Sequence, residues 1–77
     1  MIVHSKLNPA QREADAIGAA VLSSRRALGL RQDQLALAAG VSTRVIHQIE
    51  NGKPTSRLDS VAPVLEGLGR ELCVRER

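Results

Sequence analysis

Hydrophobic side chains recur at helical intervals along most of the chain, and the first such run predicts a helix. Ile17, Val21, Ser24 and Leu28 are separated by four, three and four residues, which places them on one helical face. Gly29 follows directly and is typical of a helix C-terminus. The pattern therefore predicts a first helix that ends near residue 29.

The start of this helix is indicated further upstream, by the tetrapeptide NPAQ at residues 8–11. It combines an Asn cap, a Pro at the first helical position and a Gln three residues after the cap. Two organisations remain open: one helix continues through Gly18, or a separate helix begins near Asp15. The predicted division places residues 1–14 in an N-terminal arm or helix extension and residues 15–69 in the main domain.

Two short helices separated by a tight turn are predicted next. Residues 31–40, RQDQLALAAG, are rich in Ala and end in Gly40, which indicates a helix of about two to three turns. A third helix is predicted over residues 43–50, with Ser42 as its N-cap. A short helix, a Gly, a small turn and a second short helix form the helix-turn-helix arrangement.

The third helix has two unlike faces. Val41, Ile46 and Ile49 supply its apolar contacts with the domain, and Asn51-Gly52 ends it in a left-handed turn. The polar residues of the other faces are Thr43, Arg44, His47 and Gln48. Their variety is not typical of a merely solvated face.

A fourth helix with an internal proline is predicted from residue 56 onward. SRLD at residues 56–59 resembles a capping box with a shorter acid. The apolar positions of this helix are Leu58, Val61, Leu65 and Leu68. Pro63 removes one backbone hydrogen bond and clashes with an earlier carbonyl, so we expect a kink or a split there. Gly67 and Gly69 are expected to end the helix.

The C-terminal segment, residues 70–77, predicts the only β-strand, because polar and apolar residues alternate after two glycines. Leu72 and Val74 lie on one side of this strand, and Cys73 is interpreted as a buried strand cysteine. A lone strand in a helical chain has no ladder partner. Its simplest partner is the same strand of a second copy across a twofold axis, which makes the segment a dimerisation strand.

Composition limits how so small a domain is stabilised. One Cys and two His cannot form an intramolecular disulfide or a zinc site with the usual four ligands. No metal, cofactor or small-molecule ligand is predicted. A chain of 77 residues often needs additional stabilisation, and a partner chain is the remaining source.

The charge distribution favours duplex DNA as a partner. The chain has a net charge of +3, and residues 25–57 carry six basic against two acidic side chains, a net of +4. A concentrated basic surface suggests nucleic acid, although a solvated face is the alternative. The chain contains no aromatic residue, which argues against modules that stack single-stranded bases on rings.

Other functional classes receive little support. The N-terminus lacks the pattern of a secretory signal, and no apolar run approaches the roughly 20 residues of a membrane span, so we expect a cytoplasmic protein with Cys73 reduced. GKPTS at residues 52–56 resembles the end of a P-loop, but His47 stands where the loop needs Gly and Pro54 where it needs Ser or Thr. An enzyme is therefore not predicted.

The segment LGLRQDQLALAAGVSTRVIHQIENGKP, residues 28–54, resembles the Xre-type helix-turn-helix family of phage and bacterial repressors, and the flanking helices extend the match to about residues 15–69. The resemblance implies an all-α, lambda-repressor-like bundle of four to five short helices. The sequence departs from the family at Arg31, where a small hydroxyl residue usually caps the second helix, at Pro63, and in its lack of aromatics.

A narrower resemblance covers NGKPTSRLDSVAPVLEGLGRELCV, residues 51–74, which is similar to HipB-like antitoxins. In those proteins a short C-terminal strand pairs with its dimer mate. The antitoxin also binds a HipA-type kinase toxin and represses its own operon. The resemblance thus implies a homodimer, a HipA-like kinase partner and a palindromic operator.

The family's base-reading positions correspond here to Thr43, Arg44, His47 and Gln48. In a major groove Arg44 would bind guanine and Gln48 adenine, each bidentately. Alternatives stay open: Arg44 as a solvated or ion-paired charge, Thr43 as a helix-start residue and His47 as an exposed neutral side chain. Val45 contacts a thymine methyl group, packs against the domain or is simply exposed.

Phosphate contacts are expected around the starts of the second and third helices and in the following loop. The candidates are Gln32, Ser42, Asn51, Lys53, Thr55 and Arg57. Ser42 and Asn51 are equally well explained as helix caps. Glu50 is an acid in the region that should face phosphate, and the resemblance implies that it forms a structural ion pair with Arg25.

Three functions follow from these observations. The first is a homodimeric, operator-binding repressor that is also the antitoxin of a HipA-like kinase. The second is a plain phage-type repressor without a toxin partner. The third is an interaction module that restrains a toxin and binds DNA only secondarily.

Overall fold

The computed structural model describes residues 8–76, whose secondary structure consists of four helices. They are α1 (Pro9–Ala27), α2 (Gln32–Ala39), α3 (Thr43–Glu50) and α4 (Leu58–Gly67). Of the two organisations left open for α1, the structure has the single helix that runs through Gly18. The first seven residues of the predicted N-terminal arm lie outside the described residues.

The starts of α1 and α3 follow the local capping chemistry. Asn8 Oδ1 accepts a hydrogen bond from the Gln11 amide at 2.7 Å, and Ser42 Oγ accepts one from the Val45 amide at 3.2 Å. The capping box predicted at residues 56–59 is wrong, since α4 begins after Arg57 without a side-chain cap. Ser56 Oγ instead donates to the Lys53 carbonyl at 2.9 Å, because that acceptor lies in the preceding turn.

All four helices contribute to one hydrophobic core. Its fully enclosed side chains are Val21 of α1, Leu35 of α2, Ile46 of α3 and Val64 of α4. Two positions of the periodic apolar faces lie outside this core: Leu28 is 56% exposed and Leu58 is 68% exposed. Both residues stand at helix ends, where the chain passes beyond the core. The helical spacing of apolar residues therefore continues past the buried positions.

The predicted split at Pro63 does not occur, because α4 continues from Leu58 to Gly67 as one helix. The hydrogen bond that Pro63 cannot make would have ended on the carbonyl of Asp59, an exposed residue where solvent can supply the donor. Val61 before the proline and Val64 after it are both buried in the same core. Packing thus holds the two halves of α4 together.

The predicted C-terminal strand is not formed in the described part of the chain. Residues 70–76 are neither helix nor strand, and Val74 is 99% exposed. Cys73, interpreted from the sequence as buried, is also exposed. The physical reason is that a strand requires a ladder partner, and the remaining described residues are helices and their connecting turns.

Gly18 allows α1 to lie directly against the end of α3. A Cβ atom added at Gly18 would stand 2.5 Å from the Ile49 carbonyl oxygen and 3.0 Å from the Glu50 carbonyl oxygen. These are backbone atoms of another helix and cannot rotate away. The close contact therefore fixes the distance between α1 and the C-terminal end of α3.

A largely buried ion pair joins the same two helices. Arg25 Nε donates to Glu50 Oε2 at 2.6 Å, and the two side chains are 12% and 6% exposed. Arg25 also donates to the Leu30 carbonyl, and Gln32 Nε2 of α2 donates to Glu50 Oε1 at 3.0 Å. Three helices thus meet at one carboxylate.

The hydrogen bonds of this cluster determine its ionisation. Burial raises the pKa of Glu50, but the hydrogen bonds from Arg25 and Gln32 and the charges of Arg25 and Arg26 outweigh burial, so the pKa lies below its ordinary value. The hydrogen bond to Glu50 raises the pKa of Arg25 despite desolvation. Both groups are therefore charged at neutral pH.

We expect Gly18→Ala to lower Tm by about 5 to 15 °C, because the methyl group forces α1 away from α3. Thermal unfolding followed by circular dichroism measures the change. Gly67→Ala is the matched control, since a Cβ there would lie 3.6 Å from Leu35 Cδ1, an ordinary contact. It should leave Tm unchanged or raise it slightly. Equal Tm values for the two variants would contradict the close approach.

We expect Glu50→Ala to destabilise the protein by about 3 kcal/mol at pH 7, because it leaves Arg25 buried without its carboxylate. In Tm this is a fall on the order of 15 °C. Glu66→Ala, which removes an exposed carboxylate of α4, is the control and should change Tm by little.

The same pair predicts an acid dependence. Since the folded-state pKa of Glu50 is lowered, its stabilisation is present above the unfolded value of about 4.3 and is lost as pH falls through the folded value. Between about pH 5 and pH 3, wild type should therefore lose more stability than Glu50→Gln. Parallel curves for the two proteins would contradict the lowered pKa.

Candidate nucleic-acid interface

The outer face of α3 presents the four residues predicted to read bases. Thr43, Arg44 and His47 are exposed, and Gln48 is partly buried. Arg44 forms no ion pair with any residue between positions 8 and 76. Its guanidinium is thus free to bind an external acceptor, and of the alternatives left open by the sequence the ion-paired one is not observed.

The inner face of α3 fixes the direction of that outer face. Ile46 and Ile49 are buried, while Val41 and Val45 are partly buried and pack against the core. Val45 therefore makes the packing contact that was one of its three expected roles. Because the apolar side chains of α3 face the core, its polar side chains lie on the outer face.

The start of α3 is an electropositive end. Ser42 caps the helix, and the first amides of α3 point out of it without intrahelical partners. Lys53 and Thr55, which follow α3, are exposed, and Lys53 forms no ion pair with a described residue. These groups provide the donors and the positive charge that a phosphate requires.

Three other phosphate candidates have protein partners. The Gln32 side chain donates to Glu50, and Arg57 Nη2 pairs with Asp59 at 2.7 Å on the surface. Asn51 is the C-cap residue of α3, and its side-chain amide donates to the His47 carbonyl at 2.8 Å. The structure thus brings Gln32 to the buried ion pair rather than leaving its amide free.

His47 and Asn51 are also in side-chain contact. Asn51 Nδ2 lies 3.1 Å from His47 Nε2, and both residues are exposed. The sequence did not predict this pairing, although the two residues stand one helical turn apart. The contact constrains the orientation of the imidazole on the outer face.

The exposed ion pair of Arg31 with Asp33 adds little stability. Arg31 Nε lies 3.0 Å from Asp33 Oδ1, and the side chains are 72% and 60% exposed. The hydrogen bond from Arg31 lowers the pKa of Asp33, which therefore stays ionised at neutral pH. Exposed pairs of this kind contribute little and are screened by salt.

Gln11 and Asp15 are positioning residues that sequence reasoning missed. Gln11 Nε2 donates to Asp15 Oδ1 at 2.8 Å and to the Gly52 carbonyl at 2.9 Å. Gly52 is buried with a φ of 74°, and a Cβ atom there would strike the Asp15 carboxylate. The first turns of α1 thereby hold the turn that ends α3, whereas the pattern NPAQ indicated only a helix start.

Two further properties concern the part of the chain that the structure describes. None of its helices is both long and apolar enough to cross a membrane. Residues 8–76 also contain no cluster of three or more His, Cys, Asp or Glu side chains suited to a metal ion.

Comparison with known proteins identifies the family. The sequence profile of the helix-turn-helix family matches residues 22–74, a range that contains all of α2, α3 and α4. The HTH-type transcriptional regulator y4mF of Sinorhizobium fredii is 49% identical over 53 residues, which cover 69% of this chain and 70% of that protein. This chain therefore belongs to the Xre-type helix-turn-helix family of DNA-binding transcriptional regulators.

Proposed function

We propose that the protein is a sequence-specific repressor that inserts the outer face of α3 into the major groove of an operator. The observation that carries this proposal is that α3 has one face bound to the domain and one exposed polar face. Its inner face and Glu50 are bound to the rest of the domain, while Thr43, Arg44 and His47 are exposed. A helix held in this way presents a fixed set of polar groups to a ligand.

The chemistry of these groups assigns their roles. Arg44 donates two parallel hydrogen bonds to guanine O6 and N7, and Gln48 both donates to and accepts from adenine. Each such pair contributes about 1 to 3 kcal/mol of discrimination. Thr43 and His47 complete the base-reading set through single hydrogen bonds or contact with a thymine methyl group.

Phosphate contacts fix the register of α3 on the duplex. Lys53, Thr55 and the amides at the start of α3 supply them, with Ser42 beside those amides. Arg57 joins them by exchanging Asp59 for a phosphate, since its surface pair is weak. Gln32 contributes through its backbone amide at the start of α2, because its side chain is bonded within the protein. Asn51 makes no phosphate contact in this arrangement, since its backbone and side-chain amides both donate to the His47 carbonyl.

The repressor acts as a homodimer on a palindromic operator. The apolar side chains of Leu72 and Val74 are exposed on an unpaired segment that also contains Cys73. Pairing this segment with its copy across a twofold axis would give the backbone a ladder and cover both side chains. Two α3 helices held in this way would enter major grooves about 34 Å apart.

Antitoxin activity is the finer part of the proposal and depends on the resemblance of residues 51–74 to HipB-like proteins. The protein would bind a HipA-type kinase in the cytoplasm and repress the operon that encodes both. Co-expression with a kinase encoded beside its gene, followed by affinity purification, is the test. A stable complex supports the antitoxin role, whereas a repressor that retains operator binding without a complex is a plain repressor. A complex without operator binding would indicate an interaction module.

We expect Arg44→Ala and Lys53→Ala to weaken DNA binding in different ways. Arg44→Ala should relax the preference at one base position by about 1 to 3 kcal/mol, because a base contact is lost. Lys53→Ala should weaken all sequences alike and reduce the slope of log K against log salt by about 1. Selection from randomised duplexes and binding titrations over a range of salt concentrations measure both effects. An unchanged preference in Arg44→Ala would remove Arg44 from the base-reading set.

We expect a chain cut after Gly69 to lose dimerisation, because it lacks the pairing segment. Analytical ultracentrifugation of the full and shortened chains measures the mass, and circular dichroism checks that both are folded. The dimer proposal predicts a full-length dimer and a shortened monomer. A monomer in both cases would contradict strand pairing, and a dimer in both would move the interface elsewhere.

A further inference from the structure

The contact between Asn51 and His47 constrains which proton the imidazole carries. Asn51 Nδ2 lies 2.8 Å from the His47 carbonyl oxygen, which can only accept, so the nitrogen of the amide faces this carbonyl. The same NH₂ group lies 3.1 Å from His47 Nε2. An NH₂ group only donates, and therefore Nε2 must accept.

The tautomer follows from this assignment. In a neutral imidazole one ring nitrogen carries the proton and the other accepts. With Nε2 accepting from Asn51, the proton is on Nδ1. The polar group that His47 leaves for a ligand is then a hydrogen-bond donor.

We propose that Asn51 is a positioning residue that fixes the tautomer of His47, so that His47 reads DNA only as a donor through Nδ1–H. This inference rests on the proposed base-reading role of α3. In the major groove, guanine O6 and N7, adenine N7 and thymine O4 can accept a hydrogen bond from Nδ1–H. The exocyclic amino groups of adenine and cytosine only donate. By keeping the proton on Nδ1, Asn51 prevents His47 from accepting a hydrogen bond from a base.

The role differs from the phosphate contact expected for this residue. Both N–H bonds of the Asn51 side chain are used within the protein, and the side chain lies one turn along α3 from the imidazole that it orients. Asn51 affects base specificity through His47. Lys53 and Thr55 in the following loop remain the proposed phosphate contacts. Loss of Asn51 should therefore change base preference more than overall affinity.

The tautomer is measured without DNA by nitrogen-15 NMR of the histidine ring at about pH 8.5, where an ordinary imidazole is neutral. His47→Ala identifies the signals of this ring. Wild type should show a protonated Nδ1 and an unprotonated Nε2. In Asn51→Asp the carboxylate only accepts, so the proton should move to Nε2. An Nε2–H ring in wild type, or the same tautomer in both proteins, would overturn the proposal.

The effect on recognition is measured by site selection from randomised duplexes with wild type, Asn51→Ala and His47→Ala. Asn51 has φ −90° and ψ 8°, a conformation that alanine also adopts, so Asn51→Ala should fold. At the position read by His47, its discrimination should fall by about twofold to tenfold, the range for one hydrogen bond, with the Arg44 position and the salt slope unchanged. A uniform loss of affinity with unaltered preferences would overturn the positioning role.

The two measurements separate this inference from the proposed function. A wild-type Nδ1–H ring combined with unaltered binding by His47→Ala would mean that His47 does not read DNA, and the specificity role of Asn51 would fall with it. An Nε2–H ring combined with altered binding by His47→Ala would leave the base-reading role intact and overturn only the action of Asn51.

Discussion

The buried pairing of Arg25 with Glu50 is the interaction on which the arrangement of this domain depends. Glu50 ends the helix that carries the polar outer face, and its carboxylate binds one side chain from α1 and one from α2. A free carboxylate at this position would repel phosphates at the proposed DNA-binding surface. The pair, together with Gln32, therefore joins three helices and neutralises an acid beside the proposed DNA-binding surface.

Other contacts around α3 refine the position that this pair establishes. Gly18 brings α1 against the last carbonyl groups of α3, and Gln11 holds the turn at Gly52 that follows. The capping hydroxyl of Ser42 fixes the other end. Both ends and the inner face of α3 are thus attached to the domain. Binding through its outer face therefore does not require the entropy loss of ordering a flexible segment.

Much of this architecture could be predicted from the sequence because it depends on local chemistry. The bounds of α3 follow from Ser42 at one end and Asn51-Gly52 at the other, and the core side of α3 follows from Ile46 and Ile49. Features that depend on distant atoms could not be predicted in the same way. The periodicity that includes Leu28 and Leu58 cannot indicate where the core stops.

The candidate site illustrates the same limit. Residue types and spacing selected Arg44 and Gln48 as base readers, and the charge distribution selected the loop that contains Lys53. Residue types, spacing and charge could not reveal that the Gln32 side chain donates to Glu50, or that Gln11 donates to the Gly52 carbonyl, 41 residues away. Nor does the described part of a single chain provide a ladder partner for the segment around Cys73, and we propose that a second copy supplies it.

The central claim is that α3, held by Glu50 and the core, is the element that enters the DNA groove. The most direct measurement is an NMR titration of the isotope-labelled protein with a duplex selected for tight binding. The largest amide shifts should fall on residues 42–48 and 53–57. Shifts concentrated in α4 and the C-terminal segment, with α3 unchanged, would contradict this account.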